Sequence, residues 1–203
     1  MEETLLSVAL GLGLAAACGF RVFVPFLVMG VAARAGYLAV SPGFDWVATT
    51  PALVAFGVAT VLEIGGYYVP WVDNLLDTVA TPAALVAGVL VTASVVTEAS
   101  PLVRWTLAVL AGGSAAAAVQ ALTVAARQLS SFTTLGLGNA AVATGEAVGA
   151  VALALASVVV PLLAAVLVLV LLVLAVRWVF FRQPGTQAPP IDPAAGGAGG
   201  AAP

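Results

Sequence analysis

Long apolar stretches separated by short polar loops cover residues 4–181, and this pattern limits the fold more than any other feature of the chain. Of the 203 residues, 63% are hydrophobic and 7% are charged, whereas a soluble domain averages roughly 45–50% apolar and about 25% charged residues. Lipid must therefore be the solvent. Because a membrane helix needs about 20 residues, the chain has room for about six membrane segments. We predict an all-α, polytopic transmembrane helical bundle, with one integral membrane domain over residues 1–182.

The few polar residues exclude several classes of protein. The chain contains no Lys, no His and one Cys, Cys18. Without a cluster of basic residues it offers no nucleic-acid surface. Without His or a second Cys it has no internal disulfide, zinc centre, His-ligated haem or Cys–His catalysis. We therefore expect no metal, no cofactor and no enzymatic activity.

The first apolar run, residues 4–34, is too long for one straight membrane helix. It would rise about 46 Å against a hydrocarbon core of about 30 Å. Gly19, Arg21 and Pro25 cluster inside it, and Pro removes a backbone donor while Gly tolerates unwinding. We predict a broken or re-entrant first segment. Arg21, at the break, either binds an anionic substrate or head group or neutralises a buried carboxylate.

The second segment, residues 51–69, carries Glu63 inside an apolar run. A charge at the bilayer centre costs at least about 2.5–3.5 kcal/mol, so such a residue usually faces a partner or a watery cavity. We interpret Glu63 as a proton- or cation-binding carboxylate on a helix made flexible by Gly65 and Gly66. The alternative is a structural ion pair with Arg21.

Two more carboxylates, Asp73 and Asp77, follow this segment. Because they are four residues apart, they share one face of a short amphipathic helix before the third segment at 80–96. They form either a rim that attracts cations or a solvated helix face. Asn139, before the fifth segment, is either a ligand or a helix cap.

The second half of the chain supplies three further segments. A Gly- and Ala-rich segment over 102–129 allows close helix packing and contacts between copies of the chain. A polar loop at 130–139 leads into an apolar stretch that must turn before Pro161, which gives spans at 140–157 and 161–181. Glu146, near the start of the fifth segment, has the same two interpretations as Glu63.

Two short motifs recur in the same order in both halves. They are VAAR at 31–34 and 124–127, and VAT…E-x-x-G at 58–66 and 142–149. The matches predict two three-segment repeats, about 5–96 and 103–181, in which the glutamate-bearing segments pack side by side with both carboxylates turned inward. The alternative is coincidence in a chain this rich in Val and Ala.

The arginines near the segment ends predict the orientation. If the first segment of each half crosses the membrane, they divide between the two sides; if both are hairpins, they lie on one side, which the positive-inside rule favours. In either arrangement the two termini share a side, which we take as the cytoplasmic side of the plasma membrane. The tail, residues 183–203, is mainly Pro, Gly and Ala, and we predict that it is disordered.

Four stretches of the sequence resemble a known family. They are GLAAACGFRVFVPFLVMGVAARAG at 13–36, SPGF-D-W…TP at 41–51, LE-x6-P-W-VD-x3-D at 62–77 and GN…E at 138–146. The family comprises small bacterial membrane proteins known only as a domain of unknown function, number four-one-two-six. The second half departs more, since Glu146 is followed by Ala where relatives tend to have Asp. The resemblance implies a polytopic domain of the bacterial inner membrane and implies no activity.

These observations support two functions. In the first, the protein is a small secondary transporter or channel-like permease, in which Glu63 and Glu146 carry a proton or cation and Arg21 neutralises or binds an anion. In the second, it is a non-transporting scaffold or accessory subunit whose buried charges fix the helix register. The expected partners are the lipid bilayer, a small ion or molecule, and further copies of the chain through the Gly- and Ala-rich faces.

Overall fold

Helices make up most of the computed structural model, which describes residues 2–181 except for the side chains at 70, 71, 73, 74 and 178–181. The α-helices are α1 (Glu2–Cys18), α2 (Phe23–Arg34), α3 (Thr50–Gly66), α4 (Pro70–Val95), α5 (Pro101–Leu107), α6 (Ser114–Thr134), α7 (Asn139–Val159) and α8 (Pro161–Phe181). A 3-10 helix, Asp45–Ala48, precedes α3, and a π-helical segment, Ala108–Gly113, joins α5 to α6. No strand occurs among the described residues, and the predicted all-α class is confirmed.

Three helical stretches are long and apolar enough to cross a membrane. They are Leu75–Val95, Pro101–Thr134 and Asn139–Val159, and shorter apolar helices cover Phe23–Arg34, Thr50–Gly66 and Pro161–Arg177. At 1.5 Å per residue, α2 rises only about 18 Å, which is less than the hydrocarbon core. The lengths and composition of these helices are consistent with a membrane protein.

The first apolar run is broken where the sequence predicts. Helix α1 ends at Cys18 and α2 begins at Phe23. A Cβ atom at Gly19 would lie 2.6 Å from the carbonyl oxygen of Ala116 and from Cβ of Val119, so only glycine fits there. Pro25 lies in the first turn of α2, where its missing N–H costs no helical hydrogen bond.

The prediction of a short separate helix for Asp73 and Asp77 is wrong. Helix α4 begins at Pro70 and continues through Pro82 to Val95. Proline suits the first turn of a helix, and an internal proline is tolerated in a membrane helix because neighbouring groups satisfy the freed carbonyl. Both aspartates therefore belong to the first two turns of a long helix.

The predicted loop at 130–139 is shorter than expected. Helix α6 continues to Thr134, and the turn occupies Leu135 to Gly138. The hydroxyl of Thr134 donates to the carbonyl of Ser130 at 2.7 Å. Because such bonds satisfy hydroxyl groups inside a helix, a run of Ser and Thr does not end one. Leu135 and Gly136, both with positive φ, make the turn.

The last apolar stretch turns at the predicted place, since α7 ends at Val159 and α8 begins at Pro161. The predicted disorder of residues 183–203 falls outside the described residues.

Helix α1 lies at the centre of the bundle and packs against α4, α6, α7 and α8. The side chains from Leu14 to Cys18 are fully buried. The Gly- and Ala-rich face of the π segment and α6 packs within the chain, since Gly112 contacts Gly88 and Thr92 of α4. Because α1 is central, the break that follows it is also buried, and its polar backbone needs partners inside the bundle.

Candidate functional site

A cluster of polar side chains surrounds the break between α1 and α2. We call it the polar cluster; its members are Arg21, Glu63, Tyr67, Asp77, Arg127 and Glu146. All of them except Asp77 are at most 8% exposed. They come from the break, the end of α3, and helices α4, α6 and α7, so the cluster forms only when the whole bundle is folded.

Arg21 is held against α7. Its Nη1 atom donates to Oε2 of Glu146 at 2.9 Å, and its Nη2 atom donates to the carbonyl oxygen of Ala143, also at 2.9 Å. Ala143 and Glu146 are one turn apart on the same face of the helix. Arg21 therefore fixes the break to α7 through a charge-assisted bond and a backbone bond.

Arg127 binds the same carboxylate from α6. Its Nε atom donates to Oε1 of Glu146 at 3.1 Å and its Nη2 atom contacts Oε2. Its Nη1 atom also donates to Oδ1 of Asp77 at 2.6 Å. Glu146 is thus shared by two guanidinium groups. Arg127 connects three helices, α4, α6 and α7.

The ring of Tyr67 lies between the two guanidinium groups. The Cζ atoms of Arg21 and Arg127 lie 4.0 Å and 3.8 Å from the ring centroid. A cation over an aromatic face is attracted by the ring quadrupole, more strongly where water is excluded. The ring therefore offsets part of the repulsion between two buried positive charges.

Glu63 is bound differently. Its Oε1 atom accepts the backbone N–H of Val22 at 2.7 Å, and its Oε2 atom accepts that of Phe23 at 3.1 Å. The carboxylate thus caps the N-terminus of α2, where the helix dipole favours a negative charge. Within the described part of the chain Glu63 forms no ion pair. The alternative of a Glu63–Arg21 pair is therefore wrong, since Arg21 pairs with Glu146.

The two glutamates occupy different places in their helices. Glu63 is three residues from the end of α3, whereas Glu146 is seven residues from the start of α7. Helix α3 packs on α2, and α7 packs on α1, α2 and α8. Both carboxylates are buried and both bind the break, through Arg21 for Glu146 and through Val22 and Phe23 for Glu63. Helices α3 and α7 do not pack along each other but share α2 as a neighbour, so the predicted side-by-side packing of the two glutamate-bearing segments is wrong.

The other predicted site residues divide between the cluster and its surroundings. Asp77 belongs to the cluster through Arg127, and its side chain is 20% exposed. The side chain of Asp73 lies outside the described residues. The amide Nδ2 of Asn139 donates to the hydroxyl of Ser131 at 3.0 Å, which connects the start of α7 to α6. The N-cap position of α7 belongs to Gly138.

Sequence reasoning missed Arg127 and Tyr67 as site residues. Arg127 is part of the second VAAR motif, but an arginine at that point of a segment is typical of a membrane boundary. Tyr67 precedes Tyr68 and Trp71, and such a group of aromatics is typical of an interface. The one available signal for Arg127 was that two buried glutamates and one buried arginine leave a carboxylate without a counter-ion.

The charges of the polar cluster do not cancel. Two guanidinium groups face three carboxylates when all are ionised, which leaves one excess negative charge among the described side chains of the cluster. Glu146 and Asp77 each bind a guanidinium group, and Glu63 binds backbone N–H groups alone. Glu63 is therefore the one carboxylate of the polar cluster that forms no ion pair with a described residue; Arg21 and Arg127 attract it only from a longer distance.

A groove of about 300 Å³ adjoins this carboxylate. Its walls are Glu63, Tyr67, the first residues of α2, and apolar side chains of α3 and α4. The site thus combines a fixed network of ion pairs with one carboxylate at the edge of an open space.

Comparison with known proteins gives one match. No curated protein matches the chain, and no solved structure matches it. The sequence profile described as Domain of unknown function (DUF4126) matches residues 8–180. Because this match covers most of the chain and all of the polar cluster, the protein belongs to the DUF4126 family.

Proposed function

We propose that the protein is a small secondary transporter or channel-like permease of the bacterial inner membrane, in which Glu63 carries a coupling proton or cation. The observation that carries the proposal is that the buried carboxylate of Glu63 is held by two backbone N–H groups and forms no ion pair with a described residue. An uncompensated buried charge is costly, and an ionisable residue in a membrane segment is by default a functional one. A proton or monovalent cation at Glu63 removes the cost of burying that charge without an ion-pair partner.

The geometry gives the two glutamates different roles in this proposal. Glu146 binds two buried guanidinium groups, one from the break and one from α6. Neutralising Glu146 leaves both arginines short of a partner, so its role is to hold the cluster together. Glu63 can be neutralised at lower cost, because no buried cation depends on it. We therefore assign ion exchange to Glu63 alone.

Neutralisation of Glu63 also has a structural consequence. The ionised carboxylate accepts two charge-assisted bonds from Val22 and Phe23, and such bonds are roughly twice as strong as neutral ones. A proton or cation on Glu63 weakens both, and it removes the charge that favours the N-terminus of α2. The contact between α2 and α3 then loosens. Discontinuous helices whose ends face an ion are a recurring element of transporters.

The proposal extends to the topology. We propose six membrane segments in two three-segment repeats, with α1–α2, α3 and α4 in one and α5–α6, α7 and α8 in the other. Support comes from the order of the recurring motifs and from an irregular first segment in each half, which is a break in α1–α2 and the π segment Ala108–Gly113 in α5–α6. We also propose that both termini are cytoplasmic. Reporter fusions at the two ends test this, and an extracytoplasmic end rejects it.

The direct test of transport uses purified protein in liposomes that contain a pH-sensitive dye. A proton gradient is imposed and the internal pH is followed for the parent and for Glu63→Gln. Glu98 is exposed in the loop before α5, so Glu98→Gln is a matched control for the same chemical change. We expect flux in the parent and in Glu98→Gln, and a loss of flux in Glu63→Gln. Equal flux in all three proteins contradicts the proposal.

A second candidate function has its own support. The network of Arg21, Glu146, Arg127 and Asp77 connects the break to α4, α6 and α7, and buried ion pairs can serve to fix helix register. In this scaffold function the parent protein conducts no ions. A flat pH trace with parent protein, correctly folded and inserted, favours the scaffold over the permease.

A further inference from the structure

The groove beside Glu63 is lined by residues of α3, α4 and the start of α2. It has a volume of about 300 Å³ and includes Leu62 and Val79, both of which are exposed, so it opens at the surface of the bundle. Its remaining walls are aliphatic or aromatic apart from Glu63 and Tyr67. The volume is at the lower end of the roughly 300–1,000 Å³ of small-molecule pockets.

The carboxylate of Glu63 has capacity for a further partner. Each of its oxygens accepts one backbone N–H, whereas a carboxylate offers about four acceptor positions in total. About two positions therefore remain for a donor that enters the groove. An N⁺–H donor is the strongest such partner, because both groups carry a charge.

The groove does not suit a metal ion. Calcium takes about six to eight oxygen ligands, and magnesium about six. Among the described residues no cluster of three or more His, Cys, Asp or Glu side chains could hold a metal ion, and Glu63 is the only carboxylate that lines the groove. A single carboxylate among apolar walls cannot replace the hydration shell of a small inorganic cation.

We infer that the groove binds a small lipophilic ammonium ion, with its nitrogen on the carboxylate of Glu63 and its hydrocarbon part against Leu62, Leu76 and Val79. The charge of Glu63 selects a cation. The apolar walls favour a hydrocarbon body, since burial of apolar surface is favourable. The ring of Phe23, which also lines the groove, can face the ammonium group. The inference rests on the proposed role of Glu63 as the exchangeable cation site and names its substrate class.

This assignment makes the proton and the substrate competitors. When an ammonium ion binds to the protonated carboxyl group of Glu63, one proton leaves as one positive charge enters, and the charge of the polar cluster is unchanged. When a proton returns, the ammonium ion is displaced. The expected process is the exchange of one proton for one ammonium ion.

The first experiment measures binding to the full chain in lipid nanodiscs by calorimetry. The probes are 2-phenylethylamine, which is a cation at neutral pH, and 2-phenylethanol, its neutral analogue. We expect the amine to bind with release of protons at low pH, and Glu63→Gln to weaken this binding by at least about tenfold. Binding of the alcohol should be weak and unchanged by the substitution. Equal affinity for amine and alcohol, or an unchanged amine affinity in Glu63→Gln, overturns the inference.

A second pair of variants tests the groove without touching the polar cluster. Val79→Trp places an indole in the groove, whereas Val86→Trp makes the same change at an exposed position of α4 outside it. We expect at least about tenfold weaker amine binding for Val79→Trp and parental binding for Val86→Trp. Parental binding by Val79→Trp overturns the inference. This test does not depend on Glu63→Gln, so it applies even if that variant fails to fold.

The two proposals fail in different ways. Amine binding that depends on Glu63, in a protein that moves no protons even when a gradient of the amine is imposed, supports the groove inference and rejects the permease. Proton flux that depends on Glu63, in a protein that does not bind the amine, supports the permease and rejects the groove inference.

Discussion

Arg21 and Glu146 form a buried ion pair, with Nη1 of the arginine 2.9 Å from Oε2 of the glutamate across 125 positions of sequence. The pair connects the break after α1 to α7. Since Arg127 binds the same carboxylate, loss of Glu146 affects two cations at once. The stability of the bundle should therefore depend strongly on this one side chain.

We expect Glu146→Gln to destabilise the protein by about 3–5 kcal/mol, because removal of one partner leaves a buried charge uncompensated. The measurement is the midpoint of thermal unfolding in detergent. Glu63→Gln provides a comparison with the same chemical change at a site without a guanidinium partner, and there we expect a smaller loss, because one backbone N–H loses its acceptor but no guanidinium group does. Similar midpoints for the two variants would show that Glu146 is not the more important structural charge.

Substitutions of Tyr67 should show whether its aromatic ring, and not only the bulk of its side chain, stabilises the two guanidinium groups. Tyr67→Phe keeps an aromatic face between the two guanidinium groups, whereas Tyr67→Leu removes it. Each cation–π contact is worth about 0.5–2 kcal/mol, so we expect Tyr67→Leu to lower the unfolding midpoint clearly more than Tyr67→Phe. If leucine is tolerated as well as phenylalanine, the ring does not stabilise the paired arginines.

The close approach of the break to α6 predicts a large effect of one methyl group at Gly19. A Cβ atom there would lie 2.6 Å from the backbone oxygen of Ala116, and overpacking costs about 1–3 kcal/mol. Gly57 of α3 is the matched control, since a Cβ atom at that position meets nothing within 4 Å. We expect Gly19→Ala to lower the unfolding midpoint and Gly57→Ala to leave it unchanged or raise it. The reverse order would contradict the described packing.

Local chemistry explains which parts of the fold could be predicted from the sequence. Two features were predicted correctly: the break near Gly19 and Pro25, and the turn before Pro161. Both depend on Gly and Pro, which change the backbone conformation only within a few residues of their own position. The end of α6 was placed too early because Ser and Thr favour turns in general, yet here their hydroxyl groups bond to carbonyls of the same helix.

The partners inside the cluster could not be predicted in this way. The choice of Glu146 over Glu63 as the counter-ion of Arg21 depends on which helix faces the break after packing. Helices α3 and α7 both contact α2, so the sequence alone does not tell which of them presents its carboxylate to Arg21. The place of Tyr67 could not be predicted either, because an aromatic residue beside the end of a helix is equally suited to the membrane interface and to the protein interior.

The central claim is that Glu63 is the carboxylate that exchanges a proton inside the membrane domain, and infrared titration tests it most directly. As the pH is lowered, a carboxylate that takes up a proton loses its carboxylate bands and gains the C=O band of a protonated acid. If the acid is buried, its proton exchanges slowly with deuterium. We predict such a band in the parent and in Glu98→Gln, and its absence in Glu63→Gln. A band that persists in Glu63→Gln would place the proton on another group and contradict the account.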